Sequence, residues 1–500
     1  MSSSNPNPEE EDLDEMLAVD DAAEEIDNDG GDIAMDSDGE GEEEGEEVLL
    51  QNDSIAYFDV PQDSLFAIAQ HPVYPSLIAV GGSAGQEADA PGAGWLFDTS
   101  AAESRPVLPA SYASDPANAE WSSKTTQLDS LYALEGHTDS INSLCWTYPQ
   151  GEYLVSGGLD GRMKVWKADV RPGAGVKMTV VGVSQEVEEI NWIAACPSQN
   201  YANTVAVGAF DGSVWVYTID ASDASNPLQI IQSYFLHTGS CTAGAWTPDG
   251  LLLATVSEDS SLYVWDIWGE ASAKNLVNDN GMTVISLTGE DQRFEVEGGL
   301  YSMAIDPKGT FVAVGGAGGA IKIISLPRLA SPPSSQQQIR GKSSSDPTSG
   351  GQILASLHAQ GDSVESLAVA VTSNNPPSTL LAAGSVDGSV CVYDATRRFA
   401  VRRHISGAHD EHSVVKLEFV SNSWLLTSCG MDGVVRRWDL RSGGVTGTNA
   451  AGAADRGLVK EWKGHSGGGE GGGVLGFVQG QTGERIVTAG DDCVALVFEA

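Results

Sequence analysis

Short runs in which apolar and polar positions alternate recur along the chain from about residue 54 to its end. The stretch 134–166 shows the pattern clearly, because two such runs, INSLCW and GRMKVW, flank an apolar run that ends in Ser-Gly-Gly. Alternation with a period of two predicts β-strands that bury one face. Gly161, in an Asp-Gly pair between two of the runs, can adopt the positive φ that a tight hairpin turn requires. The stretch is therefore predicted to form a small antiparallel sheet.

The same pattern occurs in eight units, and a repeat of this length predicts a β-propeller with one blade per unit. Each unit has a first run, a turn, a second apolar run and a third run that ends in an aromatic or aliphatic residue. The first and the fifth units lack the Asp of the tight turn and are the least regular. The units span residues 63–97, 134–166, 187–217, 237–265, 300–324, 358–393, 413–438 and 465–498.

The second unit resembles the WD-repeat signature, in which a His, a Ser or Thr, an Asp and a Trp recur in a fixed order. In that family the four side chains form a hydrogen-bonded chain, and a buried Asp needs such donors. The fourth unit keeps the full set, and either His409 or His412 could complete the seventh. The predicted network consists of His137, Ser156, Asp160, Trp166, His237, Thr255, Asp259, Trp265, Asp432, Trp438, His465 and Asp492.

The eighth unit ends directly at Ala500 and lacks an outer strand, while the run at 54–59 has no blade of its own. Pairing the two would close the ring and remove its open sheet edges. The fold class is therefore predicted as all-β: an eight-bladed WD40 β-propeller over residues 54–500, closed by the N-terminal strand at the last blade. Polar or Gly-rich insertions, predicted to be mobile loops, cover residues 101–126, 330–351, 442–455 and 466–473.

Charge narrows the choice of partners. The chain has a net charge of −44, and residues 1–53 hold 22 acidic and no basic side chains, so this acidic tail is predicted to be disordered. The other half of the charge, −22, falls on the propeller. Phosphate contacts require Lys and Arg, which disfavours nucleic acid as a direct ligand, whereas electrostatic steering favours a basic protein. The alternative that the charge serves only solubility stays open.

Other classes of function find no support in the sequence. No apolar run approaches the ~18–20 residues that span a bilayer, and the start MSSSNPNPEEE is not a secretion signal. The six cysteines form no CxxC pair, which argues against a zinc or disulfide framework. Gly-x-Ser-x-Gly matches at 81–85 and 464–468 lack the strand–turn–helix context of a hydrolase. We therefore expect no catalysis, cofactor or metal, and a cytoplasmic protein with the nucleus as a further compartment.

A propeller brings the tight turns and the starts of the first strands to one face. Acidic residues there that the hydrogen-bond network does not need would repel one another until a Lys/Arg-rich segment binds. The candidate partner-binding acids are Glu188, Glu258, Glu365 and Asp491. Aromatic residues predicted at matching positions, where they could stack on guanidinium groups, are Phe66, Phe210 and Tyr301. The alternative is that the acids are scattered and solvated.

Four segments carry a closer resemblance: FAIAQHPVYP (66–75), QEVEEINW (185–192), FDGSVWVY (210–217) and VTAGDDCVALVFEA (487–500). Together they resemble a family of fungal ribosome-assembly WD-repeat chaperones and its animal relative, the angio-associated migratory cell protein. The resemblance implies a dedicated chaperone of the large-subunit ribosomal protein L-ten (uL-sixteen). Such a chaperone captures the basic N-terminal segment of that protein on its acidic face during translation and escorts it to late pre-60S particles.

Carried onto this chain, the resemblance implies that Glu188, Glu365 and Asp491 bind the basic segment. We expect the protein to act as a monomer. Two other functions stay open. One is a general WD40 scaffold in signalling, and the other is a histone or nucleolar chaperone that works through the acidic tail.

Overall fold

The computed structural model describes residues 51–87, 89–104, 125–171, 175–329, 350–373, 376–441, 457–467 and 471–500. Residues 1–50 of the predicted tail lie outside this part, as do most residues of three predicted insertions and residues 468–470 of the fourth. Helical structure in the described ranges is limited to one-turn segments at Thr99–Ala101, Gln199–Tyr201, Ser272–Lys274, Ala317–Gly319 and Ala395–Arg397. None of these ranges contains a helix long and apolar enough to cross a bilayer.

The alternating runs form β-strands because one face of each run is apolar and packs against a neighbouring sheet. In chain order the strands are β1 (Ala56–Phe58), β2 (Leu65–Gln70), β3 (Leu77–Ser83), β4 (Gly92–Asp98), β5 (Thr126–Gln127), β6 (Ser130–Leu134), β7 (Ile141–Trp146), β8 (Tyr153–Gly158), β9 (Met163–Arg171), β10 (Gly175–Ser184), β11 (Ile190–Ala195), β12 (Thr204–Ala209), β13 (Val214–Ile219), β14 (Leu228–Tyr234), β15 (Cys241–Trp246), β16 (Leu252–Ser257), β17 (Leu262–Asp266), β18 (Thr283–Leu287), β19 (Leu300–Ile305), β20 (Phe311–Gly316), β21 (Ala320–Ser325), β22 (Ile353–His358), β23 (Val364–Val371), β24 (Thr379–Ser385), β25 (Val390–Asp394), β26 (Ala400–Ile405), β27 (Val414–Phe419), β28 (Leu425–Gly430), β29 (Val435–Asp439), β30 (Leu458–Trp462), β31 (Val474–Val478), β32 (Arg485–Gly490) and β33 (Ala495–Glu499).

The strands assemble into eight sheets, one for each predicted unit, which confirms the eight-bladed all-β propeller. The blades are numbered from the chain's N-terminal end, and their inner strands are β2, β7, β11, β15, β19, β23, β27 and β31. Neighbouring inner strands contact one another around the whole ring, with β31 against β2. Blades 1 and 5 form complete four-stranded sheets although they lack the turn Asp, so the apolar pattern alone is enough to specify a blade.

The N-terminal strand closes the ring as predicted. It lies in blade 8 between β33, to which it is antiparallel, and β5, to which it is parallel. Ala56 is opposite Val497, and Phe58 is opposite Ala495. Phe58 is fully buried and stacks on Phe97 of blade 1, with the two ring centroids 4.6 Å apart.

Contacts with the propeller begin before β1, within the predicted tail. The backbone N–H of Asp53 donates to the Lys463 carbonyl at 2.8 Å, and the N–H of Lys463 donates to Asp53 Oδ2 at 2.9 Å. The last residues of the predicted tail therefore already belong to the ring closure.

The second strands of most blades are buried along their whole length, because sheets on both sides cover them. Small residues make this close stacking possible. The ring of Trp192 lies between blades 3 and 4, where a Cβ at Gly208 would be 2.2 Å from it and a Cβ at Gly244 would be 2.0 Å from it. No larger residue fits at either position without displacing the indole.

Each inner strand has a register shift at its second residue. In β2, for example, Leu65 pairs with Gly82 but Ala67 pairs with Gly81, so Phe66 has no partner in the ladder. Such a bulge bends the strand and leaves its extra residue outside the ladder. The eight bulge residues are Phe66, Asn142, Asn191, Thr242, Tyr301, Glu365, Val415 and Leu475. They lie at equivalent positions around one mouth of the central channel.

Candidate functional site

Buried side-chain networks hold the tight turns between the second and third strands. In blade 7, His409 Nε2 lies 2.8 Å from Ser428 Oγ, and His409 Nδ1 lies 2.8 Å from Asp432 Oδ1. The indole N–H of Trp438 donates to Ser428 Oγ at 2.9 Å. His409, and not His412, is therefore the histidine of the seventh unit.

The charge of Asp432 is stabilised inside this network. Burial alone would raise the pKa of Asp432, but the hydrogen bonds and positive charges of His409 and Arg436 lower it to about 2. The turn is thus fixed by a carboxylate that stays ionised at neutral pH.

Blades 2 and 8 contain the same arrangement, in which a histidine bonds to a Ser or Thr hydroxyl and to the Asp of the turn. Its hydrogen bonds, of 2.7 to 3.0 Å, join His137 to Ser156 and Asp160, and His465 to Thr488 and Asp492. Trp166 of the second unit is fully buried and contributes through packing.

Blade 4 contains an additional residue in its chain of hydrogen bonds. His237 Nε2 bonds to Thr255 Oγ1 at 2.8 Å, and the Trp265 indole donates to the same oxygen at 2.8 Å. His237 Nδ1, however, bonds to Ser261 Oγ at 2.6 Å, and Ser261 in turn bonds to Asp259. In blade 4 the hydroxyl of Ser261 therefore relays the contact between His237 and Asp259.

These turns and the starts of the inner strands lie on the same face. In seven blades, the residue before the turn Asp, or its equivalent, donates its backbone N–H to the carbonyl of the residue that precedes the inner strand. Glu258 donates in this way to Ser240 at 3.1 Å, and Asp491 donates to Gly473 at 2.9 Å. Side chains at both sets of positions therefore surround the mouth that carries the bulge residues.

Three of the four predicted acids are exposed on this face. Glu188 lies two residues before β11, Glu258 lies in the turn between β16 and β17, and Glu365 is the bulge residue of β23. The structure brings them to one face although they come from blades 3, 4 and 6.

Asp491 lies on the same face but already has partners within the protein. It is half-buried, its Oδ1 accepts a hydrogen bond from Ser64 Oγ at 2.5 Å, and its Oδ2 accepts one from the Gly471 N–H at 2.9 Å. Asp491 therefore links blade 8 to blade 1, which leaves its carboxylate less available to a partner than the other three.

Three further acids share the position of Glu188, two residues before an inner strand: Asp63, Asp139 and Asp362. Each is followed by a serine whose N–H donates to the Asp Oδ1 at 2.7 to 2.8 Å. An Asp-Ser pair directly before an apolar run is the signal that would have found them in the sequence. We define the acidic face as Asp63, Asp139, Glu188, Glu258, Asp362, Glu365 and Asp491.

The acidic face is not neutralised by the part of the protein that the structure describes. Within the described ranges, none of its seven carboxylates lies within ion-pair distance of a Lys, Arg or His side chain. Partial desolvation by the surrounding protein and the negative charge of Asp362 raise the pKa of Glu365, although its side chain is exposed. The face therefore presents unbalanced negative charge to a partner.

The predicted aromatic residues occupy two kinds of position. Phe66 and Tyr301 are bulge residues, and Phe66 is 43% exposed. Phe210 is 56% exposed but lies in the turn before Asp211, the position that Glu258 has in blade 4. The prediction that all three occupy matching positions is wrong for Phe210, although the residue does lie on the same face.

No group of three or more His, Cys, Asp or Glu side chains in the described ranges is placed to hold a metal ion. The six cysteines are free thiols.

Comparison with known proteins confirms the family resemblance. The WD domain, G-beta repeat model matches residues 128–167, 228–266 and 351–394. The ribosome assembly protein SQT1 of Saccharomyces cerevisiae is 27% identical over 94% of this chain and 91% of its own. The human angio-associated migratory cell protein is 22% identical over 74% of this chain and 69% of its own.

A solved structure gives a stronger match. The crystal structure of Chaetomium thermophilum Sqt1 bound to the N-terminus of the ribosomal protein L10 shares 56% sequence identity with this chain. The match covers 90% of this chain and 100% of the other, with a TM-score of 0.75. Since identity of this level extends over 90% of this chain, the chain belongs to the Sqt1 family of WD-repeat ribosome assembly proteins.

Proposed function

We propose that this protein is a dedicated chaperone of the large-subunit ribosomal protein L10 (L-ten, or uL-sixteen). It captures the basic N-terminal segment of nascent L10 on the acidic face and delivers L10 to late pre-60S particles. One observation carries the proposal: a relative with 56% identity has been solved with the N-terminus of L10 bound. The unbalanced carboxylates of the acidic face give the physical reason.

The geometry explains how an extended basic segment would be held. Lys and Arg side chains form charge-assisted hydrogen bonds with exposed carboxylates, and Glu188, Glu258 and Glu365 offer such groups on separate blades. The exposed ring of Phe66 can stack on a guanidinium group at the same mouth. The net charge of −44 attracts the cationic segment over long range and speeds encounter.

We propose that the protein works in the cytoplasm and as a monomer. Capture during translation requires a cytoplasmic protein, and the nucleus is a further compartment in which it could travel with its cargo. A single propeller presents the complete acidic face, so we propose that the monomer is the active form. The proposed function includes no catalytic step.

Co-purification tests the proposal directly. The tagged full-length chain is isolated at low and at high salt, and its partners are identified by mass spectrometry. We expect one dominant basic ribosomal protein that salt removes, because exposed ion pairs are screened. Many partners of mixed charge would instead indicate a general scaffold.

Removal of the acidic tail separates the acidic face from a histone-type or nucleolar chaperone. The shortened chain should start at Gln51 and not at Ser54, so that it keeps Asp53, which is hydrogen-bonded to Lys463. We expect the affinity for an L10 N-terminal peptide, measured by fluorescence anisotropy, to survive the truncation. Loss of binding would assign the cargo to the tail.

A further inference from the structure

Arginine is concentrated in one part of this acidic chain. Seven arginines lie between residues 397 and 441, although the chain has only 26 Lys and Arg residues. Two of them make contacts inside the protein: Arg436 pairs with Asp432, and Arg437 is buried. The other five, on blades 6 and 7, are Arg397, Arg398, Arg402, Arg403 and Arg441.

Three of these arginines surround a small cavity. Its volume is about 280 Å³, and its lining residues are Ser378, Asp394, Arg397, Arg402, Trp424 and Arg441. We call it the arginine pocket. Its lining comes from the connections before β24 and between β27 and β28, from the end of β25 and the segments after β25 and β29, and from Arg402 in β26. Since the acidic face is formed by the other ends of these strands, the arginine pocket opens on the opposite face of the propeller.

Arg402 is fixed in place at this pocket. Its guanidinium carbon lies 4.3 Å from the centroid of the Trp424 ring. Its Nε donates to the Leu440 carbonyl at 3.0 Å, and its Nη2 donates to the Arg441 carbonyl at 3.3 Å. No carboxylate in the described part of the chain lies within ion-pair distance of Arg402. A guanidinium group that is held rigidly but not neutralised can bind an anion with little loss of conformational entropy.

The carboxylates near the pocket balance only part of its charge. Arg397 Nε lies 3.6 Å from Asp394 Oδ2, and Arg441 Nη2 lies 2.6 Å from Asp439 Oδ2. Asp394 is the one acidic residue of the lining, and its Oδ1 already accepts the Thr396 N–H at 3.0 Å. Three guanidinium groups against two carboxylates leave the site positive in a protein whose net charge is −44.

We propose that the arginine pocket binds a phosphorylated side chain of a protein partner. Guanidinium forks match phosphate oxygens, and a phosphate carries close to two negative charges at neutral pH. Because Asp394 and Asp439 already neutralise part of the pocket, a carboxylate with a single charge gains less there than a phosphate does.

The molecule favours a peptide over nucleic acid as the carrier of that phosphate. The large negative charge of the protein repels a long polyanion, whereas salt screens this repulsion for one compact group at short range. Trp424, the aromatic residue of the lining, is only 8% exposed beneath Arg402 and offers no surface for base stacking.

A titration of the full-length chain tests the proposal. The probes are a fluorescent phosphoserine peptide, the same peptide with serine or glutamate at that position, and a single-stranded RNA oligonucleotide. We expect the phosphopeptide to bind most tightly, and the double variant Arg397→Gln/Arg441→Gln to bind it at least about tenfold more weakly. Inorganic phosphate should compete with the phosphopeptide.

The chain supplies a matched control for charge loss. Arg293 pairs with Asp291 two residues earlier, as Arg441 pairs with Asp439, and it is exposed away from the pocket. Arg293→Gln should leave phosphopeptide affinity unchanged, and the double variant should keep its melting temperature and its affinity for the L10 peptide. Equal binding of the serine peptide, undiminished binding by the double variant, or stronger binding of RNA would overturn the proposal.

Discussion

Glu365→Gln should change cargo binding and protein stability in opposite directions. Glu365 is the bulge residue of β23, and partial desolvation together with the charge of Asp362 raises its pKa. The ionised form is therefore disfavoured in the free folded protein. This penalty is fully present above the folded pKa and absent below the unfolded pKa. Near pH 7, Glu365→Gln should slightly raise the free energy of unfolding, and the gain should vanish in acid.

The effect on binding can be estimated from one lost contact. A hydrogen bond to a charged group contributes about 1.5–3 kcal/mol, and the exposure of Glu365 places it at the lower end of that range. A loss of about 1.5 kcal/mol corresponds to roughly tenfold weaker binding of the L10 N-terminal peptide. Glu365→Lys adds repulsion of similar size and should weaken binding about a hundredfold.

Fluorescence anisotropy measures the peptide affinity, and thermal unfolding measures the stability of the same samples. Glu270→Gln is the matched control, because Glu270 is exposed in the segment after β17, on the opposite face, and the change in net charge is identical. Unchanged affinity in Glu365→Gln, or an equal loss in the control, would refute the role of the acidic face. A simultaneous fall in affinity and stability would show that Glu365 is structural.

Three further predictions concern the fold. Asp432→Asn leaves His409 and Arg436 buried without their carboxylate, and it should lower the free energy of unfolding, measured by chemical denaturation, by about 3 kcal/mol. A decrease of less than about 0.5 kcal/mol would contradict a stabilising role of the network. Because the pKa of Asp432 is lowered to about 2, its ionisation should contribute about 2 kcal/mol above roughly pH 4 and lose this as pH falls towards 2. Between about pH 4 and pH 2, the stability of Asp432→Asn should therefore depend less on pH than that of the wild-type protein. Parallel curves for the two proteins would exclude a lowered pKa of Asp432. Phe58→Ala should cost about 4 kcal/mol and lower the melting temperature, since the ring is fully buried at the closure. An unchanged melting temperature would mean that β1 does not stabilise the ring.

The sequence predicted the architecture well, because periodicity and turn chemistry are local properties. Gly161 has the positive φ that its Asp-Gly turn required, and the missing outer strand of blade 8 led to the correct closure by β1. Blades 1 and 5 were recovered without a turn Asp, since their apolar runs alone predict strands.

The site was harder to predict, because its geometry depends on register and on distant contacts. A bulge adds one residue without a sequence signature, and for this reason the sequence predicts the same position for Phe66 and Phe210, which the structure separates. The partner of Asp491 is Ser64, which is 427 residues away in sequence, so its internal hydrogen bond could not be foreseen. Ser261, the relay to Asp259, likewise has a role only in the folded blade.

The closure by β1 has a consequence for how the chain is made. Phe58 and its partner Ala495 are roughly 440 residues apart, which a ribosome elongating at about 5–20 residues per second needs some 20 to 90 seconds to bridge. Throughout that interval the first strand has been synthesised but its partner does not exist, so blade 8 cannot form. A product that stops a few codons early would carry an unfinished ring with two bare sheet edges, prone to self-association. The protein that we propose as a chaperone of a nascent chain thus exposes its own sheet edges until β33 has been synthesised.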